Sequence, residues 1–174
     1  MTNNIVYIAL GSNIEQPYEQ VKNAIDALDG LPDCTVIADS GYYKSRPMGP
    51  EDQPDYVNAV VKMETALTAA ELLTRCQQIE QQQGRVRTRH WGERCIDLDI
   101  LLFADQQIKT DKLMVPHPGI SQRDFVYLPL LKLDPYIAIP GKTALKDLLR
   151  CDEKLMADEA KSDYGCQYAG DIDR

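Results

Sequence analysis

C95-I-D-L-D-I-L-L-F103 has the make-up of a buried β-strand, yet two aspartates stand in its middle. Ile, Leu and Phe suit a pleated, half-buried surface, whereas an ionised carboxylate is costly there without a partner. Asp97 and Asp99 are two residues apart, so on a strand they share one face, roughly 6.6 Å from each other along the chain. Ile96, Leu98, Ile100 and Leu102 then share the other face, toward covering helices. Something must balance the two charges.

The segments on either side set the frame. Residues 4 to 10, NIVYIAL, predict a first strand, closed by the turn residues GSN. Tyr18, Val21, Ile25 and Leu28 follow at helical spacing before Gly30 and Pro32. Residues 34 to 43 predict a second strand, and 45 to 55, SRPMGPEDQPD, a loop broken by three prolines and a glycine. That loop exceeds the usual connection length, which favours a functional role. YVNAVVKME, 56 to 64, predicts a third strand. A helix from about Ala69 to Gln83 presents Leu72, Leu73, Cys76 and Ile79 on one face and stops at Gly84. With the aspartate strand the order is βαββαβ. This is an α+β, ferredoxin-like core: an antiparallel sheet with two helices on one face, plus C-terminal additions. VPHPG reads as a rigid loop, FVYLPLLKL as a buried helical turn and KTALKDLLR as a small terminal helix. The expected organisation is one domain over residues 1–150 and a polar, acidic, loosely attached tail over 151–174.

Composition narrows the class. The chain has 174 residues, 44% hydrophobic and 26% charged, as in an ordinary globular protein with a substantial core. No apolar run approaches a membrane span, and MTNNIVYIALGSN lacks the pattern of a signal peptide. Five cysteines without a CxxC pair argue against a disulfide framework or a cysteine zinc site, and point to reduced thiols in a cytoplasmic protein. A net charge of −8 argues against a general nucleic-acid or anionic-membrane binder. Nothing in the sequence demands a dimer, and a monomer is expected.

Against that acidic background, GRVRTRHWGER at 84 to 94 concentrates Arg85, Arg87, Arg89 and Arg94. It is either a solvated or ion-paired loop, or a lid for an anionic ligand. Asp97 and Asp99 likewise have two readings: partners of buried arginines, or hard oxygen ligands for Mg²⁺, which takes one or two carboxylates plus substrate phosphates. Arginines directly upstream favour the second, since Mg²⁺ and guanidinium groups together describe a polyphosphate site. There is no GxxxxGK[ST] or GxGxxG, so a P-loop or dinucleotide fold is not expected. Tyr56 and Asn58 share a strand face, and with Phe125 they suit a flat, hydrogen-bonding heterocycle, or else are core and edge residues.

RPMGPEDQPDYVNAV, IEQQQGRVRTRHWGERCIDLDILLF and VPHPGISQRDF, with ALGSN near the start, resemble the 6-hydroxymethyl-7,8-dihydropterin pyrophosphokinases of folate biosynthesis over roughly residues 4 to 150. The resemblance implies transfer of diphosphate from ATP to the pterin hydroxymethyl group, with release of AMP. It implies two Mg²⁺ ions held by Asp97 and Asp99, phosphate charge steadied by Arg85 and Arg94 with Arg87 assisting, and a lid sealed by Trp91. It places Tyr56 and Phe125 as stacking faces of a pterin slot completed by Ser45, Met48, Asn58 and Asp97. Gln77, Glu80, Ile100, Lys112, His117 and Arg123 match nucleotide-side positions. The chain departs from the common pattern at His90, Glu93, Arg46 and Pro118. These departures bear on lid strength and adenine packing more than on the reaction.

Overall fold

The computed structural model describes residues 3–84, 95–155 and 164–174. The first strand, β1 (Asn4–Ser12), leads into α1 (Pro17–Asp29), which buries Val21, Ala24, Ile25 and Leu28. The expected second strand is divided in two, β2 (Cys34–Asp39) and β3 (Tyr42–Ser45). The break falls at Ser40 and Gly41, whose φ of 80° suits a residue without a Cβ. Both segments pair with the long β4 (Tyr56–Thr65). Helix α2 (Ala69–Gln82) starts with a capping box: Glu71 N–H donates to Thr68 Oγ1 at 3.2 Å, and Thr68 N–H to Glu71 Oε2 at 2.8 Å. After β5 (Asp97–Phe103) come the short pair β6 (Ile108–Lys109) and β7 (Met114–Val115), then α3 (Asp124–Leu133), α4 (Leu145–Leu155) and β8 (Gln167–Gly170).

The main sheet runs β5-β1-β4-β3-β8, with β2 also on β4, and every pairing is antiparallel. One face is covered by α1 and α2. There Val6, Ile8 and Leu10 of β1, Val57, Ala59, Val61 and Met63 of β4, and Leu98 and Ile100 of β5 meet Leu28, Leu72, Cys76 and Ile79 in the larger apolar core. The opposite face carries a second, smaller core. Tyr7, Val60, Leu101 and Leu102 pack there with Val126 and Leu130 of α3, Ile137, Ile139, and Leu145 of α4.

Strict alternation along β5 predicts Leu102 toward α1 and α2, and the structure corrects this. Ile8 pairs with Ile100 but Tyr7 with Leu102, so Leu101 is an extra residue in β5. Beyond it the side-chain phase is reversed: Leu101 and Leu102 join the second core and Phe103 the first. The reversal lets one strand present carboxylates on the second face at one end and leucines on that same face at the other.

The C-terminal segment also differs from its expectation. Helix α4 runs across residue 150, and the chain end is docked rather than loose. β8 adds to the sheet edge on β3, Tyr168 meets Tyr43 edge-to-face at 5.6 Å and lies under Lys132 Nζ at 3.8 Å, and Ile172 enters the larger core. Arg174 Nε pairs with Asp39 Oδ2 at 3.0 Å. QYAG is too short to show a period, and its stability comes from an open strand edge and scattered docking residues that no local pattern reveals.

Candidate functional site

The cleft lies on the second face, where the apolar cover of α3 stops short of the β5 carboxylates. Its floor is β1. Ala9 pairs with Asp99, and Gly11 pairs with Asp97 on one side and Asn58 on the other. These small residues leave depth between their neighbours: a Cβ on Gly11 would stand 3.3 Å from Asn58 Oδ1 and 3.6 Å from the Tyr56 ring. Ala9, Leu10, Gly11, Ser45, Arg46, Met48, Tyr56, Asn58, Asp97, Asp99, Leu101, His117, Arg123, Phe125 and Val126 line it. That mix of apolar walls with a few polar groups suits a small organic ligand.

Each polar group is held by identifiable partners. Buried Asn58 donates through Nδ2 to Ser45 Oγ at 2.9 Å and to the Tyr43 carbonyl at 3.3 Å, which fixes its amide plane with Oδ1 toward Gly11. The proline-rich loop is tied to the turn after β1. Asn13 Nδ2 donates to Gln53 Oε1 at 2.9 Å and to the Pro54 carbonyl at 3.1 Å, and Gln53 Nε2 donates to the Met48 carbonyl at 3.4 Å. The GSN turn therefore sets where Met48 stands. β5 is an edge strand, and the outward Leu98 N–H is taken by the buried Glu80 carboxylate of α2 at 3.1 Å, which fixes the backbone between the two aspartates.

His117 closes the cleft from the loop after β7. Its Nδ1 accepts from Gly119 N–H at 3.0 Å, so the proton of the neutral ring sits on Nε2. Burial, reinforced by the Arg123 guanidinium and opposed by Asp97, pushes His117 from 6.5 down to about 4. At neutral pH it is a hydrogen-bond donor and carries no charge. Arg123 folds over Gly119, where a Cβ would fall 2.8 Å from its Nε, so the glycine makes room for the guanidinium beside the cleft.

All six residues expected at a pterin slot line this one cleft: Ser45, Met48, Tyr56, Asn58, Asp97 and Phe125. They come from β3, the proline-rich loop, β4, β5 and α3, and Asp99, His117 and Arg123 join them. Four expected nucleotide-side residues do not line it. Gln77 and Lys112 are exposed, Glu80 is engaged with β5, and the Ile100 side chain is in the larger core. The departure Pro118 is exposed and borders, with His117, a neighbouring groove. Arg85, Arg87, Trp91 and Arg94, with His90 and Glu93, lie outside the described residues.

Sequence reasoning missed Ala9, Leu10, Gly11, Arg46, Leu101 and Val126 as lining residues. The spacing of Ala9 and Gly11, two small residues on one face of a central strand, was the available signal for the floor. Leu101 had none, because it depends on the bulge. Among the described residues no group of three or more His, Cys, Asp or Glu is placed to hold a metal ion, so Asp97 and Asp99 form a two-carboxylate set.

The family model for 7,8-dihydro-6-hydroxymethylpterin-pyrophosphokinase matches residues 7–135. The chain belongs to that family. It is 44% identical over 152 residues to the 2-amino-4-hydroxy-6-hydroxymethyldihydropteridine pyrophosphokinase of Haemophilus influenzae, covering 86% of this chain and 95% of the relative. It is 46% identical over 144 residues to the enzyme of the same name from Pseudomonas aeruginosa, covering 83% and 89%. Among solved structures, a Plasmodium falciparum HPPK-DHPS triple mutant with STZ-DHP superposes with a TM-score of 0.71 at 14% identity, over 94% of this chain and 46% of that one. The chain thus spans about half the length of that structural relative, which supports the fold.

Proposed function

We infer that the chain transfers diphosphate from ATP to the hydroxymethyl group of 6-hydroxymethyl-7,8-dihydropterin, giving AMP and the pterin diphosphate, and that the described cleft is the pterin side of its site. The observation that carries this reading is the convergence of six separated residues, Ser45, Met48, Tyr56, Asn58, Asp97 and Phe125, on one cleft that also contains Asp99, His117 and Arg123. Family membership supplies the reaction. The strand order β5-β1-β4, continued by β2 and β3, supports the ferredoxin-like reading of the core.

In this reading Tyr56 and Phe125 offer ring faces to the flat pterin, and Asn58, held in plane by Ser45 and Tyr43, offers a fixed amide edge. Met48 fills the side of the slot from a loop pinned by Gln53 and Asn13. Neutral His117 donates through Nε2, and Arg123 supplies positive charge toward phosphate. Arg85 and Arg94, with Arg87 and Trp91, would act from the ATP side, as would Gln77, Glu80, Ile100 and Lys112. Ile100 can serve only through its backbone, since its side chain is in the core.

Asp97 and Asp99 suit Mg²⁺ in chemistry: both are hard oxygen donors on one face of the cleft, and their number leaves positions for phosphate oxygens and water. Two such ions would neutralise the triphosphate and polarise the phosphorus under attack. The protein's own contribution is positioning. It fixes the hydroxymethyl group relative to Asp97 and keeps the pterin side of the site largely apolar.

No described helix is long and apolar enough to cross a membrane. Cys34, Cys76, Cys95 and Cys166 are free thiols, in keeping with a reducing, cytoplasmic setting, and the net charge of −8 is in keeping with an enzyme that acts without nucleic acid. Incubation with ATP, Mg²⁺ and 6-hydroxymethyl-7,8-dihydropterin should release AMP in step with pterin diphosphate. ADP as the nucleotide product, or no turnover, would overturn the reading.

A further inference from the structure

Two walls of the cleft come from parts of the chain far apart in sequence. One is the end of β3 and the start of the proline-rich loop, with Ser45, Arg46 and Met48; the other is the first turn of α3, with Phe125 and Val126. The C-terminal segment joins them, and it lies outside residues 7–135. Tyr164 makes three contacts that reach both sides. Its carbonyl accepts from Arg46 N–H at 2.7 Å, its N–H donates to Asp124 Oδ2 at 3.0 Å, and its ring meets Phe125 edge-to-face at 5.2 Å and 73°. Cys166 N–H donates to the same Asp124 oxygen at 3.1 Å, so the segment is held on the α3 side by two charge-assisted bonds. Gly165, at φ 62°, turns the chain between them close to Arg46. Asp124 is itself buried, next in sequence to Phe125.

We propose that Tyr164 is a positioning residue for the pterin slot, a brace from the C-terminal segment that sets the Phe125 ring angle and the distance between the Arg46 and Phe125 walls. It touches no reacting atom. An edge-to-face partner restricts how an aromatic ring tilts, and a ring that stacks on a ligand loses affinity when it is free to tilt. The two backbone bonds keep the brace in register even when its ring is replaced. They also give a chain end of little apolar content a reason to be ordered: it completes a wall. The effect belongs to the pterin side alone, because none of these contacts involves Asp99, His117 or Arg123.

The inference rests on Phe125 forming part of the pterin slot, and the test separates the two. Steady-state kinetics on Tyr164→Ala should show the pterin KM raised about three- to tenfold, the worth of one aromatic pair. The KM for ATP and kcat should stay within about twofold of the parent. Tyr164→Phe, which keeps the ring, should restore the parent value. Tyr164→Leu keeps apolar bulk without a ring edge and should behave as the alanine variant, which covers the case in which alanine does not fold. Arg174→Ala loosens the same segment at its far end and should lower the melting temperature with the pterin KM unmoved. Unchanged pterin KM in Tyr164→Leu, or an equal rise in both KM values, overturns the brace. Phe125→Ala decides where a failure lies. If it raises the pterin KM while the Tyr164 variants do not, only the brace falls; if it has no effect, the slot assignment falls and takes the brace with it.

Discussion

The two faces of the sheet are cut from the same strands but finished differently. Toward α1 and α2, β1 and β4 present Val6, Ile8, Leu10, Val57, Ala59, Val61 and Met63 without a polar interruption, and the layer is closed from end to end. On the other face, Tyr7, Val60, Leu101 and Leu102 are covered by α3, while the same strands continue into Ala9, Gly11, Asn58, Asp97 and Asp99 at the cleft. Closed apolar packing stabilises the fold. The uncovered end keeps small residues and carboxylates where a ligand can reach them, and the protein forgoes burial there. One face thus carries stability and the other divides its area between stability and chemistry, a separation that mutations can test.

The sharpest break would come from the carboxylates. Asp97→Ala and Asp99→Ala are each expected to lower kcat about a thousandfold or more in protein that still folds, because the metal-binding carboxylate is lost. Turnover within about tenfold of the parent in both would remove the metal-ligand role. On the closed face the effect should be reversed in kind. Leu72 is fully buried between α2 and the sheet, and Leu72→Ala should cost about 3 kcal/mol in denaturant unfolding while kcat of the folded enzyme stays near the parent. A large loss of kcat at unchanged stability would show that the two faces are not separable.

The smallest expected effect belongs to His117, at the boundary between cover and cleft. Its pKa in the folded chain is depressed to about 4 from 6.5, so the unfolded chain binds more protons between those values. His117 therefore contributes stability that is complete above about pH 6.5 and is lost as pH falls toward 4. His117→Gln should flatten the stability profile in that window relative to the parent, measured by denaturant midpoints across pH. An identical profile in the two proteins would mean that burial of the imidazole is not what holds it neutral.

Legibility followed the range of the interactions involved. The strands β1, β4 and β5 and the helices α1 and α2 announce themselves because hydrophobic period and caps are local: Thr68 and Glu71 lie three residues apart, and Leu72, Cys76 and Ile79 mark a helix face by themselves. The DLD pair and the proline-rich loop showed where polar chemistry interrupts that pattern. Two expectations failed for the opposite reason. The phase of β5 past Ile100 depends on pairing with β1, since a bulge is a relation between two strands. The docking of residues 164–174 depends on a free edge at β3 and on Asp124, about forty residues away, which no stretch near the C-terminus encodes.

Sequence alone therefore determined the layer that buries apolar surface, the strand that carries the carboxylates and the set of side chains fit for a heterocycle. Those properties are written in residue type and short spacing. Only the tertiary structure decided that Ser45, Met48, Tyr56, Asn58, Asp97 and Phe125 share one cleft, that its floor is Ala9 and Gly11, and that the chain's last residues brace it. Such contacts form between segments far apart along the chain. Their geometry follows from how the sheet twists and which edges remain open once the core has closed.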